Sequence, residues 1–482
     1  MSQIVGQRRD SRWFALVVLC AGMLMIILDG TIVNVALPVI QADLDFTQSG
    51  LAWVINAYLI PFGGLLLLAG RVGDLIGRKR MFLGGVAVFT VASLFCGLAT
   101  TQGLLIAARF VQGIGGAMAA AVILGMIVTM FPEKGEQARA IAVFSFVAAA
   151  GGSIGLLAGG VLTQAISWHW IFFVNVPIGI VAFALAVRVV PGERGIGLRS
   201  GADVIGAVLV TAGLMIGVYT IVKAADHGWV SGHTLGFGAL SVALLAGFVL
   251  RQAKVANPLL PLRILRDRNV AGANLIQVLM VAGMFGMFFL GALYMEKVLG
   301  YDPLGIGLAF LPVAVGIGGL SLGASARVNA RFGERPVLIA ALLLVAAGLV
   351  LFTRAPVDAD YLLDVFPSVL LMGVGAGLGF PAMMTLAMSD ATKDDSGVAS
   401  GLVNTTQQVG GALGLAVLAT LATSYTNGSI AEGDAPIEAM TGGYRLAFAV
   451  AAGLVLVATV LAVTVLRRQK VTQEELVPVP VA

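Results

Sequence analysis

The chain has 482 residues, of which 59% are hydrophobic and 11% charged, with a mean hydropathy of +0.99. Soluble domains are roughly 45–50% apolar and about 25% charged, so this is an integral membrane protein, and no polar stretch is long enough to form a soluble domain. The net charge of +4 is spread in short basic clusters between apolar runs, which sets topology rather than binding nucleic acid.

In chain order, Met1 to Arg12 resembles the positive region of a signal peptide. The apolar run that follows far exceeds the roughly 7–15 residues of a cleavable segment, so it is expected to stay as the first span. Runs near the ~20 residues that cross a bilayer then recur along the whole chain. The first six are Trp13–Pro38, Leu51–Gly70, Met81–Ala99, Gly103–Met130, Ala140–Thr163 and Trp168–Val190. Asp203–Val222 and His233–Leu250 form a pair, and Asn269–Met295, Leu304–Ala326, Pro336–Phe352, Tyr361–Met388, Gly397–Thr423 and Tyr444–Leu466 complete fourteen. The two cysteines, Cys20 and Cys96, lie inside apolar runs, where neither a disulfide nor a metal site is expected.

Charge tests this layout. With both termini cytoplasmic, 24 of the 29 Lys and Arg residues fall on the inner side, while Lys223, Lys297, Arg354 and Arg445 are outside and Arg109 stays in a span. That asymmetry is what the positive-inside rule demands. Removing the seventh and eighth spans as a pair moves only Lys223, so charge alone leaves twelve spans open, and run length selects fourteen. An internal repeat pairs Arg71-Val72 and Gly77 with Arg327-Val328 and Gly333, 256 residues later, at the same point of a six-span block. The expected organisation is therefore an N-terminal six-helix bundle over residues 1–190, an inserted hairpin with inner linkers over 191–268, and a second six-helix bundle with a cytoplasmic tail over 269–482. Parallel repeats of this kind place a substrate site near the midplane between the halves.

Gly70–Arg80 (GRVGDLIGRKR) resembles the loop between the second and third helices of the major facilitator superfamily. Leu28–Pro38 (LDGTIVNVALP), Arg109–Ala117 (RFVQGIGGA), Gly152–Gly160 (GSIGLLAGG) and Ser167–Gly179 (SWHWIFFVNVPIG) resemble signatures of its fourteen-helix drug/proton antiporter branch. Tyr294–Pro312 and Ala399–Gly414 carry the likeness into the second half. The resemblance implies an all-α major facilitator fold and export of toxic, often lipophilic or cationic compounds in exchange for protons. Two positions depart from the family's usual pattern, Leu75 where a base is common and Leu156 where antiporters usually carry proline.

The motifs also have a physical reading. Gly70, Gly73 and Gly77 permit a tight turn in which Asp74 sits among Arg71, Arg78, Lys79 and Arg80. This marks a cytoplasmic gate in which Asp74 meets helix N-termini and arginines. Gly151, Gly155 and Gly159, with Gly160, put small residues on one face of the fifth helix, where another backbone can approach closely. The same stretch matches G-x-S-x-G, but a hydrolase elbow needs a strand-to-helix turn and Ser153 lies in a span.

Asn56 and Tyr58, Gln112, Asn274 and Gln277, and Asn404 with Gln408 are polar groups at membrane depth. They read as lining a mixed cavity or, equally, as interhelical hydrogen bonds. Met280, Met284 and Met287 add adaptable apolar surface or ordinary core, and Glu296 is a boundary acid that could attract cations. His169, His227 and His233 lack metal-ligand spacing and read as solvated.

An ionised Asp at the centre of a membrane helix costs roughly 2.5–3.5 kcal/mol, so Asp29 needs a use. Asp29 lies about 13 Å from the outer end of its span and Arg109 about 9 Å from the outer end of its own, at ~1.5 Å per residue. A structural ion pair is one reading. The other is that Asp29 takes a proton outside and releases it inside, tuned by Arg109 and by desolvation. The chain reads as a proton-coupled exporter of small lipophilic or cationic molecules, acting by alternating access in the plasma membrane, as a monomer without cofactor or metal. An uptake carrier for a small metabolite is the alternative, and no loop is long enough for an enzyme or receptor domain.

Overall fold

The computed structural model describes residues 2–193, 195, 197, 201–388 and 396–467. The expected cytoplasmic tail beyond residue 467 and several positions of the linker at 194–200 lie outside the described residues. The described residues form helices and no strand.

The N-terminal block comprises α1 (Ser2–Asp43), α2 (Gln48–Ile76), α3 (Arg78–Gly97), α4 (Gln102–Met130) and α5 (Lys134–Ala165), followed by a sixth span broken into α6 (Trp170–Phe173) and α7 (Asn175–Val189). The inserted hairpin is α8 (Val204–His227) and α9 (Gly232–Gln252). The C-terminal block comprises α10 (Arg268–Lys297), α11 (Pro303–Gly323), a short loop helix α12 (Ser325–Phe332), α13 (Glu334–Phe352), α14 (Phe366–Met388), α15 (Ser396–Ala431) and α16 (Pro436–Thr464). Thirteen of the described helices are long and apolar enough to cross a membrane. The fifth span is one continuous helix whose described apolar part is Ile154–Ala165, consistent with about fourteen spans.

Helix starts are set by side-chain caps. Thr47, Thr101, Asp203, Asp267 and Asp302 each accept a backbone N–H of the first turn, replacing partners that the helix itself cannot supply. The sixth span breaks at Val174, just ahead of Asn175 and Pro177. Proline is tolerated in the first turn of a helix because its missing N–H would be unpaired there anyway.

The two blocks meet along two seams, α2 against α15 and α5 against α11. Thr405 donates its hydroxyl to the Gly63 carbonyl at 3.0 Å across the first. Gln164 donates to Asp302 at 2.8 Å across the second. The hairpin packs through α8 on both α2 and α15, with Thr211 seated over Gly64. Most of α9 is exposed to the surroundings. At the other end of the hairpin Asp203 accepts from Arg251, Gln252 and the Gly206 N–H, and Gln252 in turn accepts from the Leu260 N–H at 3.1 Å. The linker on either side of the hairpin is thereby tied to its base.

Candidate functional site

The site is built from α1 outward. Asp29 projects from α1 into the interior of the N-terminal block and is fully buried, as is Arg109 of α4. Arg109 Nη1 donates to Asp29 Oδ2 at 2.5 Å and to Gln112 Oε1 at 2.7 Å, and its Nε donates to the Val54 carbonyl of α2 at 2.9 Å. The guanidinium lies between two rings, 4.4 Å from the centroid of Tyr58 and 5.6 Å from that of Phe172. Such faces offset part of the cost of burying a cation.

Asp29 Oδ1 accepts from Gln112 Nε2 at 2.8 Å and from Asn175 Nδ2 at 2.9 Å. Gln112 also donates to Ser93 at 2.7 Å and accepts weakly from Cys96. The pair expected from the sequence is therefore the centre of a network spanning α1, α2, α3, α4 and the α6/α7 break. Asn175 and Ser93 were not anticipated. The signal for Asn175 lies in the Asn-Val-Pro sequence, which places a polar side chain at a helix start inside the membrane. Asp29 is enclosed by its own block and not by the seam between blocks.

The loop between α2 and α3 is the expected gate. Asp74 pairs with Arg78, one turn on, at 3.0 Å, and Arg78 donates to the Gly125 carbonyl of α4 at 3.2 Å. A Cβ at Gly73 would stand 2.5 Å from Val122, while Gly70 meets only Ala121 at 3.9 Å. Gly77 adopts φ +100°, which a side chain rarely tolerates. The linker after α7 lies directly on this loop. A Cβ at Gly77 would come within 2.6 Å of the Glu193 carbonyl oxygen and one at Gly195 within 2.1 Å of the Leu75 carbonyl oxygen. Gly197 N–H donates to Leu75 O at 3.1 Å, and Arg71 Nε to Gly201 O at 3.2 Å.

On α5, Gly151, Gly155 and Gly159 face α1, where a Cβ at Gly155 would come within 2.0 Å of the Thr31 hydroxyl. Gly160 turns instead to α11, with the Pro303 carbonyl oxygen 2.8 Å from the position of a Cβ. These residues permit close approach to two helices, one of them across the seam.

The expected cavity residues divide. Tyr58 and Gln112 belong to the charge network. Asn274 bonds its own helix at Val270 and accepts from Thr406 at 2.9 Å, and Gln277 donates to the Val403 carbonyl at 3.2 Å. Both tie α10 to α15. Asn56 is fully buried with neither amide atom partnered, and Gln408 Oε1 beside Gly63 is likewise unpartnered. Asn404 is exposed. Glu296 sits at the end of α10, 3.5 Å from Lys297. Met280, Met284 and Met287 are buried core. Of the histidines, His227 is exposed, while His169 stacks on Trp168 at 3.8 Å and His233 lies against His227 and Phe237. The described residues hold no group of three or more metal-ligating side chains.

The chain is 40% identical over 458 residues to the puromycin resistance protein of Streptomyces alboniger, covering 94% of this chain and 90% of that protein. It is 39% identical over 430 residues to the cephamycin export protein CmcT of Amycolatopsis lactamdurans, covering 87% and 86% respectively. The fold matches the crystal structure of the nucleoside transporter NupG with a TM-score of 0.66 at 11% identity, over 94% of this chain and 100% of that one. The family model of the Major Facilitator Superfamily matches residues 19–415. The protein therefore belongs to the major facilitator superfamily, and is a membrane transporter rather than an enzyme.

Proposed function

We propose that the protein exports small toxic molecules, lipophilic or cationic in character, in exchange for protons, with Asp29 as the coupling acid and Arg109 as its counter-charge. One observation carries the reading. A titratable carboxylate is buried in a membrane block within a network that holds its charge on every side, at a cost that a purely structural helix contact does not require. The relatives named for puromycin resistance and cephamycin export support the export direction and a small-molecule substrate. In cells lacking other pumps, expression should lower the accumulation of a lipophilic cationic dye, and an uncoupler should abolish the effect. Raised accumulation instead would show an uptake carrier.

The reading includes a six, two and six organisation with both termini cytoplasmic. Support comes from the charge asymmetry and from a hairpin whose helices pack on each other and, through α8, on both blocks. The hairpin turn then faces outside. Val230 is 85% exposed there and carries no positive φ, whereas Gly228 has φ +86°. Cys20 and Cys96 are buried, so a Val230→Cys protein should be labelled by an impermeant thiol reagent on intact cells. Labelling only after permeabilisation would invert the topology.

The gate reading assigns Asp74 to the closed inner side, together with Gly70, Gly73, Gly77 and Arg78. Its side chain is 42% exposed, so Asp74→Asn should cost little stability, as exposed ion pairs contribute about 0–1 kcal/mol. Membrane levels should be normal and transport reduced about tenfold or more. Normal levels with normal efflux would remove Asp74 from the gate.

A further inference from the structure

Asn175 uses only half of its amide. Its Nδ2 donates to Asp29 Oδ1, while its Oδ1 is buried with no partner. A buried carbonyl left unpaired costs on the order of 1–3 kcal/mol, and a membrane interior offers no water to relieve it. Every contact that Asp29 receives is a donor: Gln112 and Asn175 on Oδ1, Arg109 on Oδ2. A proton arriving on either oxygen would therefore point at another N–H. Some neighbour has to present an acceptor, or the protonated acid is left unsatisfied.

The neighbours can be taken helix by helix. Arg109 of α4 has no acceptor atom to offer. Gln112 is pinned at both ends, its carbonyl by Arg109 and Cys96 and its two N–H groups by Asp29 and Ser93. On α2 the Tyr58 hydroxyl is directed to the Ile26 carbonyl, and on α3 Cys96 is directed to Gln112. From α6 the approaching group is the Phe172 ring over Arg109, and from α5 Gly151, Gly155 and Gly159 lie against α1. Among the described neighbours, Asn175 is the amide that donates to Asp29 and can turn over at the loss of a single bond, and the turn needs no added volume because the two ends of an amide are nearly equal in size.

We propose that Asn175 is a positioning residue that rotates its amide when Asp29 is protonated, withdrawing the N–H and presenting Oδ1 to the new carboxyl O–H. No bond other than the proton's own changes: the proton adds to a carboxylate oxygen, and the Asn175 carbonyl accepts it as a hydrogen bond. The idle Oδ1 in the ionised state is thus the acceptor held ready for the protonated one. The break between α6 and α7 puts this side chain at a helix start, directed at α1. Gln112 keeps the carboxylate placed in both states. The inference rests on the reading that Asp29 titrates.

The test is an infrared difference spectrum between acidic and neutral buffer, taken on reconstituted full-length protein. The wild type should show a protonated-carboxyl band that is absent from Asp29→Asn, accompanied by a paired change in an asparagine side-chain carbonyl that moves on 13C-asparagine labelling. In Asn175→Leu, of similar size and without polar atoms, the asparagine change should vanish, the carboxyl band should move to higher frequency, and proton-driven efflux should fall about tenfold. If Asn175→Leu does not reach the membrane, the labelled wild type decides alone. An Asp29-dependent carboxyl band with no asparagine change, or one unmoved in Asn175→Leu, overturns the rotation and leaves the coupling reading standing. No Asp29-dependent band at any pH overturns both.

Discussion

Asp29→Asn protein reconstituted into liposomes should lose uphill, pH-driven transport while still equilibrating substrate down its gradient. Asparagine keeps the shape, and its single oxygen can still accept from Arg109, while its NH2 then meets the N–H groups of Gln112 and Asn175, so the network survives in part. What disappears is the proposed site of proton binding and release. Each net charge moved is worth about 2.3 kcal/mol per 100 mV, or roughly a fiftyfold accumulation, and the variant should forfeit all of it. Accumulation at the wild-type rate under an imposed pH difference would leave Asp29 and Arg109 as a structural ion pair only.

Arg109→Leu should do the larger damage to the fold. It strands Asp29 without its cation and leaves the facing rings of Tyr58 and Phe172 without the guanidinium between them. Breaking one partner out of a buried pair costs about 3–5 kcal/mol, more than the pair itself contributes. Thermal unfolding in detergent, followed with a thiol-reactive dye at the buried Cys20 and Cys96, should report a clear drop in midpoint. Adding Asp29→Asn removes the stranded charge and should restore most of the midpoint, because two uncharged groups tolerate burial better than one lone ion. Uphill transport should stay absent in the double variant. A double variant as unstable as Arg109→Leu would mean that the arginine stabilises through Val54 and the rings, and not through the acid.

The spans were legible because a bilayer imposes a length and a composition that few other constraints imitate. The break at Val174 was not read from the sequence, since an apolar run hides a change of helix axis. The loop helix Ser325–Phe332 escaped because eight residues are too few for a span. Within the site, Asp29 and Arg109 stood out as charges where charges are costly. Asn175 did not, because an amide at a helix start has many ordinary uses, and only its contact with Asp29 distinguishes it. Polar residues at depth proved ambiguous for a physical reason: the same chemistry that could hold substrate also ties helices together, as Asn274 and Gln277 do between α10 and α15.

The linker that leaves α7 rests its backbone on the loop between α2 and α3, through Glu193, Gly195, Gly197 and Gly201, and then enters a hairpin with α9 largely exposed. On the proposed gate reading, a shift of that loop would press on a chain segment that leads into this largely exposed hairpin. The tilt and depth of a spanning hairpin depend on hydrocarbon thickness, at fractions of a kcal/mol per Å of mismatch, and on that reading the load would reach the loop. On the same reading, bilayer thickness and lateral pressure would act on the transport cycle alongside the substrate.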